Sequence, residues 1–170
     1  MSKRSEAEKI LQELNFDFTT FTMGGFVRFV SEIKGREIIS IPWGMPPTLF
    51  GAWISDSDES KEYIFYRNNV SAIHQIHIQL HELSHFLLGH PTLQINRKII
   101  TEVITGTSSL PFSSLPKLRS PQRAQSEVEA ETLANLIQER AIRSSQIDNL
   151  IQDTSPEEKL ANFLKMMSLT

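Results

Sequence analysis

All five histidines of this chain lie between His74 and His90. Within that stretch, residues 81–85 read HELSH, an HExxH motif. On a helix, residues four apart lie on one face, so His81 and His85 can converge on one metal ion, with Glu82 beside it. This spacing is typical of zinc hydrolases that use the glutamate as a general base. We therefore predict that His81 and His85 are zinc ligands and that Glu82 is catalytic.

A catalytic zinc needs a third protein ligand and keeps its fourth position for water. The metzincin extension of HExxH requires glycine and histidine at positions 88 and 91, where this chain has Leu88 and Pro91. That class is excluded. His90 follows a glycine, and we expect its side chain to face away from the metal.

The downstream helix offers a better third ligand, because Glu127, Ala130, Glu131 and Ala134 share one helical stripe. Small alanines allow two helices to approach closely, so a carboxylate from this stripe can reach the metal. A glutamate on a helix after HExxH is the gluzincin arrangement. We predict Glu127 as the third ligand and Glu131 as the hydrogen-bonding partner of a ligand histidine. Glu129, about 200° around the helix from Glu127, is the alternative ligand.

The elements that must position these residues form an α+β pattern. Apolar residues at helical spacing predict four helices, and β-branched or aromatic runs predict three short strands. Residues 91–120, with an apolar insert at 99–104, are expected to form a long loop. A capping box at 155–158 opens a predicted C-terminal helix over 155–170. The predicted helices are 5–14, 26–34, 71–88 and 121–142, the strands are 38–42, 48–54 and 63–66, and the core residues of the long helix are Val128, Leu133, Leu136 and Ile137.

The composition excludes several classes of protein. A length of 170 residues, of which 39% are hydrophobic and 22% charged, fits a single domain over residues 1–170. The lack of cysteine excludes disulfides, thiolate metal sites and thiol nucleophiles. A net charge of −3 argues against direct nucleic-acid binding. Charged residues follow the basic start, and no apolar run is long enough for a membrane, so we expect a cytoplasmic protein with no membrane contact.

The two motifs resemble those of the ImmA/IrrE family of zinc metallopeptidases. In that family HELGH precedes leucines and, later, a helix reading E-x-E-A-N/D-x-F-A; here residues 81–90 read HELSHFLLGH and residues 127–134 read EVEAETLA. The likeness extends over about residues 63–137, and Ser84, Glu131 and Leu133 depart from the family pattern. The helix-turn-helix domain that the family often carries has no counterpart in residues 1–60. The resemblance implies a zincin-like (gluzincin-type) metallopeptidase domain, with a small β-sheet packed on the HExxH helix and on a second metal-ligand helix.

The function that these observations predict is zinc-dependent hydrolysis of a peptide bond, with one Zn²⁺ per chain. Glu82 would accept a proton from water and pass it to the leaving amine. The substrate would add as a strand along residues 48–54 or 63–66, and Tyr63, Tyr66, His77 or Arg123 could contact it or its oxyanion. The resemblance implies a regulatory enzyme whose substrate is a DNA-binding repressor.

Two other hypotheses stay open from the sequence. One is a non-catalytic, zinc-containing binding module that sequesters a regulatory partner. The other is a metal-free adaptor in which the HExxH spacing is coincidental. The identity of the substrate, the activating signal and the oligomeric state are not encoded in any motif.

Overall fold

Residues 3–107 and 121–151 are described by a computed structural model. Their elements follow the predicted order of helices, strands and helices, which confirms the α+β class with a small sheet. The predicted C-terminal helix over 155–170 lies outside the described residues. In chain order the elements are α1 (Lys3–Leu14), a 3₁₀ turn (Phe18–Thr20), α2 (Met23–Lys34), β1 (Glu37–Trp43), β2 (Gly51–Asp56), β3 (Lys61–Arg67), α3 (Ala72–Leu87), β4 (Leu93–Ile95), α4 (Arg97–Ile104) and α5 (Pro121–Ile151).

The four strands form one mixed sheet in the order β1-β3-β2-β4. β3 pairs in parallel with β1 and antiparallel with β2, and β4 pairs in parallel with β2. The β4 ladder covers only Ile54–Asp56 of β2. The first half of β2, from Gly51 to Trp53, therefore extends beyond the end of β4.

Apolar side chains are buried on both faces of this sheet, because alternate residues of a strand point to opposite sides. Ile64 of β3 joins a larger cluster with α1, α2, α3 and α5. Its neighbours Tyr63 and Phe65 join a smaller cluster on the other face, together with residues of β4 and α4. The side of the sheet that holds the larger cluster therefore carries both helices of the predicted metal site.

The loop predicted over residues 91–120 is partly wrong, since β4 and α4 occupy much of its first half. Asn96 caps α4 by accepting a hydrogen bond from the Ile99 N–H. The apolar insert of this segment is amphipathic, and Ile95, Ile100 and Val103 are buried in the smaller cluster. The burial of these side chains offsets the conformational entropy that is lost when an otherwise polar segment becomes ordered.

The long helix α5 packs along α3 and α1. Leu133, Leu136 and Ile137 are buried as predicted, but Val128 is 51% exposed and lies on the outer side of the helix. Ala130 and Ala134 are fully buried, as expected for small residues at a close helix contact. Throughout residues 3–107 and 121–151, every helix is too short or too polar to cross a membrane.

Candidate metal centre

Helix α3 carries both predicted ligand histidines on the side that faces α5. The helix begins after Ser71, whose hydroxyl oxygen accepts a hydrogen bond from the His74 N–H. Leu80 and Leu83 are fully buried in the larger cluster and fix the rotation of the helix about its axis. This rotation leaves His81 and His85 half-buried at the rim of a cleft.

Three predicted ligand atoms meet at this rim. His81 Nε2 lies 3.1 Å from His85 Nε2 and 3.1 Å from Glu127 Oε2, and His85 Nε2 lies 3.7 Å from the same carboxylate oxygen. Donor atoms about 2.0–2.1 Å from one tetrahedral ion are about 3.3 Å apart. The His81–His85–Glu127 triad therefore has the composition and the spacing of three ligands around one metal ion.

Two further side chains contact triad residues at the atoms that do not face the converging ligand atoms. Glu131 Oε2 lies 3.1 Å from His81 Nδ1, which leaves His81 Nε2 directed at the triad. The Arg123 Nε–H donates to Glu127 Oε1 at 3.3 Å, so the other oxygen of that carboxylate faces the histidines. The partner role predicted for Glu131 matches this geometry.

The carboxylates around His81 change its proton affinity. Burial lowers the pKa of His81, but hydrogen bonds to Glu127 and Glu131 and the charge of Glu82 outweigh burial and raise that pKa to about 9. Conversely, hydrogen bonds from His81 and His85 hold the pKa of Glu127 well below its usual range. The site is thus electrostatically arranged to attract positive charge.

Glu82 lies on the same helix, against the first residue of β2. A Cβ atom on Gly51 would come within 2.6 Å of Ile78 Cγ2 and 2.9 Å of Glu82 Oε1. Only a glycine therefore permits this approach of strand and helix. Burial raises the pKa of the Glu82 carboxyl, and the two neighbouring ligand histidines partly oppose that rise.

The triad and Glu82 open into a cleft of about 590 Å³. Residues 49–53 form one wall, α3 forms the floor, and the N-terminal part of α5 forms the opposite wall. The wall residues include Phe50, which is 47% exposed, and Trp53, whose ring contacts Phe86. Both lie within residues 48–54, one of the two segments predicted to receive the substrate, although neither residue was singled out from the sequence.

The β2 edge that faces this cleft has backbone groups directed into it. The Arg67 N–H donates to Phe50 O at 2.8 Å, so these two residues form a hydrogen-bonded pair of the β2–β3 ladder. Because such pairs alternate along antiparallel strands, the N–H and C=O groups of Gly51 and Trp53 point away from β3. The Trp53 carbonyl accepts a hydrogen bond from the Thr92 hydroxyl at 2.5 Å. The Gly51 groups and the Trp53 N–H lie beyond the β4 ladder.

The predicted substrate contacts need correction. Tyr63 belongs to the smaller cluster on the far face of the sheet, because residues 63 and 64 of β3 point to opposite sides. Tyr66 also lies outside the cleft lining, since β2 separates β3 from the cleft. His77 does line the cleft, where its ring contacts Glu131 Oε1 at 3.2 Å and Gln138 Oε1 at 2.8 Å.

His90 and Glu129 lie beside each other and outside the triad, so the alternative ligand Glu129 is not one of the three converging residues. The Glu129 side chain instead reaches the end of α3, where Oε2 lies 3.2 Å from His90 Nε2. His90 supplies no atom to the triad, as expected, but its Nδ1 lies 2.9 Å from His85 Nδ1, on the side of the His85 ring away from the triad. The signal that sequence reasoning missed is Gly89 at the helix end, which turns the chain back toward His85.

No family model, no curated protein and no solved structure matches this chain. The likeness to the ImmA/IrrE family rests on the two motifs at residues 81–90 and 127–134.

Proposed function

We propose that the protein is a zinc-dependent endopeptidase with a zincin-like, gluzincin-type site. The observation that carries this proposal is the convergence of His81, His85 and Glu127 at one end of a cleft, with Glu82 next to them and a sheet edge along the wall. Two imidazoles and one carboxylate are a common donor set for catalytic zinc. Magnesium and calcium, which prefer oxygen ligands, fit two imidazoles poorly.

A bound zinc ion would polarise the scissile carbonyl and make a water molecule more acidic at neutral pH. His81, His85 and Glu127 would hold that ion, and Glu131 would fix the orientation of His81. The raised pKa of Glu82 brings this carboxylate closer to the range of an effective general base.

The chain's own groups define the reaction. The N–H and C=O groups of Gly51 and the Trp53 N–H, which point away from β3, would pair with an extended peptide, as in strand addition to a sheet edge. Glu82 would take one proton from the attacking water as its oxygen bonds to the carbonyl carbon. When the C–N bond breaks, Glu82 would return that proton to the leaving amine, and the second proton of the water stays on the new carboxylic acid, which then ionises at neutral pH.

The substrate class rests on the sequence resemblance. We propose that the substrate is a protein, and specifically a helix-turn-helix repressor whose cleavage regulates transcription in the cytoplasm. A regulatory peptidase of this kind is expected to be slow on generic peptides.

Metal analysis is the first test of this proposal. We expect one zinc per chain in wild-type protein saturated with zinc and then desalted. Glu127→Ala should lose the zinc, and Glu139→Ala, on the same helix but outside the triad, should retain it. A wild-type protein that binds no zinc would leave the metal-free adaptor as the better hypothesis.

Catalysis is tested separately with Glu82→Gln. The purified zinc-loaded proteins are incubated with a quenched fluorescent peptide library and with a cell lysate, whose new protein N-termini are identified by mass spectrometry. We expect Glu82→Gln to keep its zinc and to cleave about 100-fold to 10,000-fold more slowly. Equal, undetectable cleavage by both zinc-loaded proteins would favour the alternative, a non-catalytic zinc-containing module that sequesters its partner.

A further inference from the structure

The C-terminal cap of helix α3 places His90 beside His85, one of the candidate metal ligands on that helix. Gly89 has a left-handed backbone with φ of 68°, and its N–H donates to Phe86 O at 3.1 Å. The next N–H, that of His90, donates to His85 O at 3.0 Å. These two bonds form a Schellman motif, in which the second residue after the helix commonly contacts the residue five positions earlier. The cap therefore brings the His90 ring to the His85 ring.

The ring contacts continue to α5. His85 Nδ1 lies 2.9 Å from His90 Nδ1, and His90 Nε2 lies 3.2 Å from Glu129 Oε2. Gln125 donates to the other oxygen of Glu129 at 2.8 Å. The side chains of His85, His90 and Glu129 are only 13%, 11% and 22% exposed, so solvent competes little for these hydrogen bonds.

When His85 binds a metal through Nε2, only one arrangement of protons gives an acceptor to every donor in the hydrogen bonds that join His85, His90 and Glu129. His85 Nδ1 then carries a hydrogen and needs an acceptor, which must be the lone pair on His90 Nδ1. His90 accordingly carries its hydrogen on Nε2 and donates it to Glu129, which accepts. Every donor meets an acceptor.

We propose that His90 and Glu129 are positioning residues that fix the tautomer and ring orientation of His85. His81 receives the same support directly from Glu131, whereas His85 receives it through a second imidazole. The inference rests on the proposed function to the extent that it assumes metal binding at the triad. Partners of this kind typically contribute about 10-fold to 100-fold to metal affinity.

The test measures zinc affinity by chelator competition in wild type, His90→Leu and His90→Asn. Asparagine can place Oδ1 near the position of His90 Nδ1 and so keeps the acceptor for His85, whereas leucine removes it. We expect His90→Leu to bind zinc about 10-fold to 100-fold more weakly and His90→Asn to recover most of that loss. Glu129→Ala should also weaken zinc binding, and Glu139→Ala on the same helix should not.

Nitrogen NMR of the zinc-loaded proteins gives a second readout that packing alone would not change. In wild type we expect a slowly exchanging hydrogen on His85 Nδ1, and in His90→Leu we expect this signal to exchange rapidly. Wild-type affinity in His90→Leu would overturn the proposal, as would equal losses in the leucine and asparagine variants. A wild-type protein that binds no zinc would instead overturn the proposed function, so the two failures are distinguishable.

Discussion

Three carboxylates act on the proton affinity of His81. Glu127 contacts its Nε2, Glu131 contacts its Nδ1, and the charge of Glu82 acts in the same direction. The resulting pKa of about 9 means that metal-free protein binds a proton here at neutral pH. A metal-ligating imidazole must be neutral, so zinc and this proton compete for the same residue.

This competition predicts the pH dependence of zinc binding. The raised pKa favours the protonated form below pH 9, and affinity should therefore fall as pH falls. We expect the zinc affinity of chelator-stripped protein to rise about tenfold per pH unit between roughly pH 7 and 8.5, and to level off above roughly pH 9. Competition with a chelator of known pH dependence measures the slope.

Glu131→Gln is the control, because it replaces the carboxylate whose hydrogen bond raises the pKa of His81 by a neutral acceptor for Nδ1. The affinity curve should then level off at a lower pH. A curve that is already flat at pH 7 in wild type would contradict the assigned protonation of His81.

At the scale of elements, the approach of β2 to α3 decides where Glu82 lies. Gly51 has no side chain, and so the strand can contact Ile78 and Glu82 directly. The same glycine stands at the start of the sheet edge that faces the cleft. Strand and helix therefore position the proposed catalytic carboxylate and the proposed substrate-binding edge together.

Gly51→Ala tests this coupling between strand and helix. The new methyl group would lie 3.0 Å from Glu82 Cγ and closer still to Ile78 Cγ2, and Glu82 can yield by moving its carboxylate. We expect peptide cleavage to fall about 10-fold to 100-fold with zinc content unchanged, and the free energy of unfolding to fall by about 1–3 kcal/mol. Kinetics, metal analysis and urea unfolding measure the three quantities.

Gly44→Ala is the matched control, because a Cβ at Gly44 meets no other atom within 4 Å. It should leave cleavage and stability unchanged. Loss of zinc in Gly51→Ala, or wild-type cleavage by that variant, would show that Gly51 does not position Glu82.

At the scale of the whole molecule, the triad joins two helices that are distant in sequence. His81 and His85 belong to α3, whereas Glu127 belongs to α5, and the larger apolar cluster packs the two helices together. A metal ion bound by all three residues would link these helices and would bind the folded chain far better than the unfolded chain. Zinc binding should therefore stabilise the fold as a whole.

We expect saturating zinc to raise the melting temperature. At a free zinc concentration of 100 times Kd, the stabilisation is about 2.7 kcal/mol. For a chain of 170 residues this corresponds to an increase of about 5–10 °C. Scanning calorimetry of chelator-stripped protein with and without zinc measures the difference.

Glu127→Gln, which removes the ligand charge but keeps the side-chain size, provides the comparison. Its melting temperature should respond little to zinc. The same increase in wild type and in this variant would mean that zinc stabilises the protein at a site other than the triad.

The sequence alone determined most of the elements outside residues 91–120 and much of the candidate site. Local periodicity fixes helices and strands, so α1, α2, β1, β3 and α3 occur where predicted, with ends shifted by a few residues. HExxH specifies His81, Glu82 and His85 through a spacing internal to one helix. Glu127 and Glu131 were also predictable, since a shared helical stripe with two alanines indicates which acidic residues can approach α3.

The tertiary structure decided the contacts that no local spacing encodes. Val128 falls outside the core because α5 meets α3 and α1 on its other side, and Tyr63 leaves the site because the strand alternation sends it across the sheet. The pairing of His90 with His85 and Glu129 requires a helix cap and a second helix at once. A sequence pattern records which residues share an element, whereas the identity of facing residues depends on how two elements pack, and that packing is set by the whole apolar core.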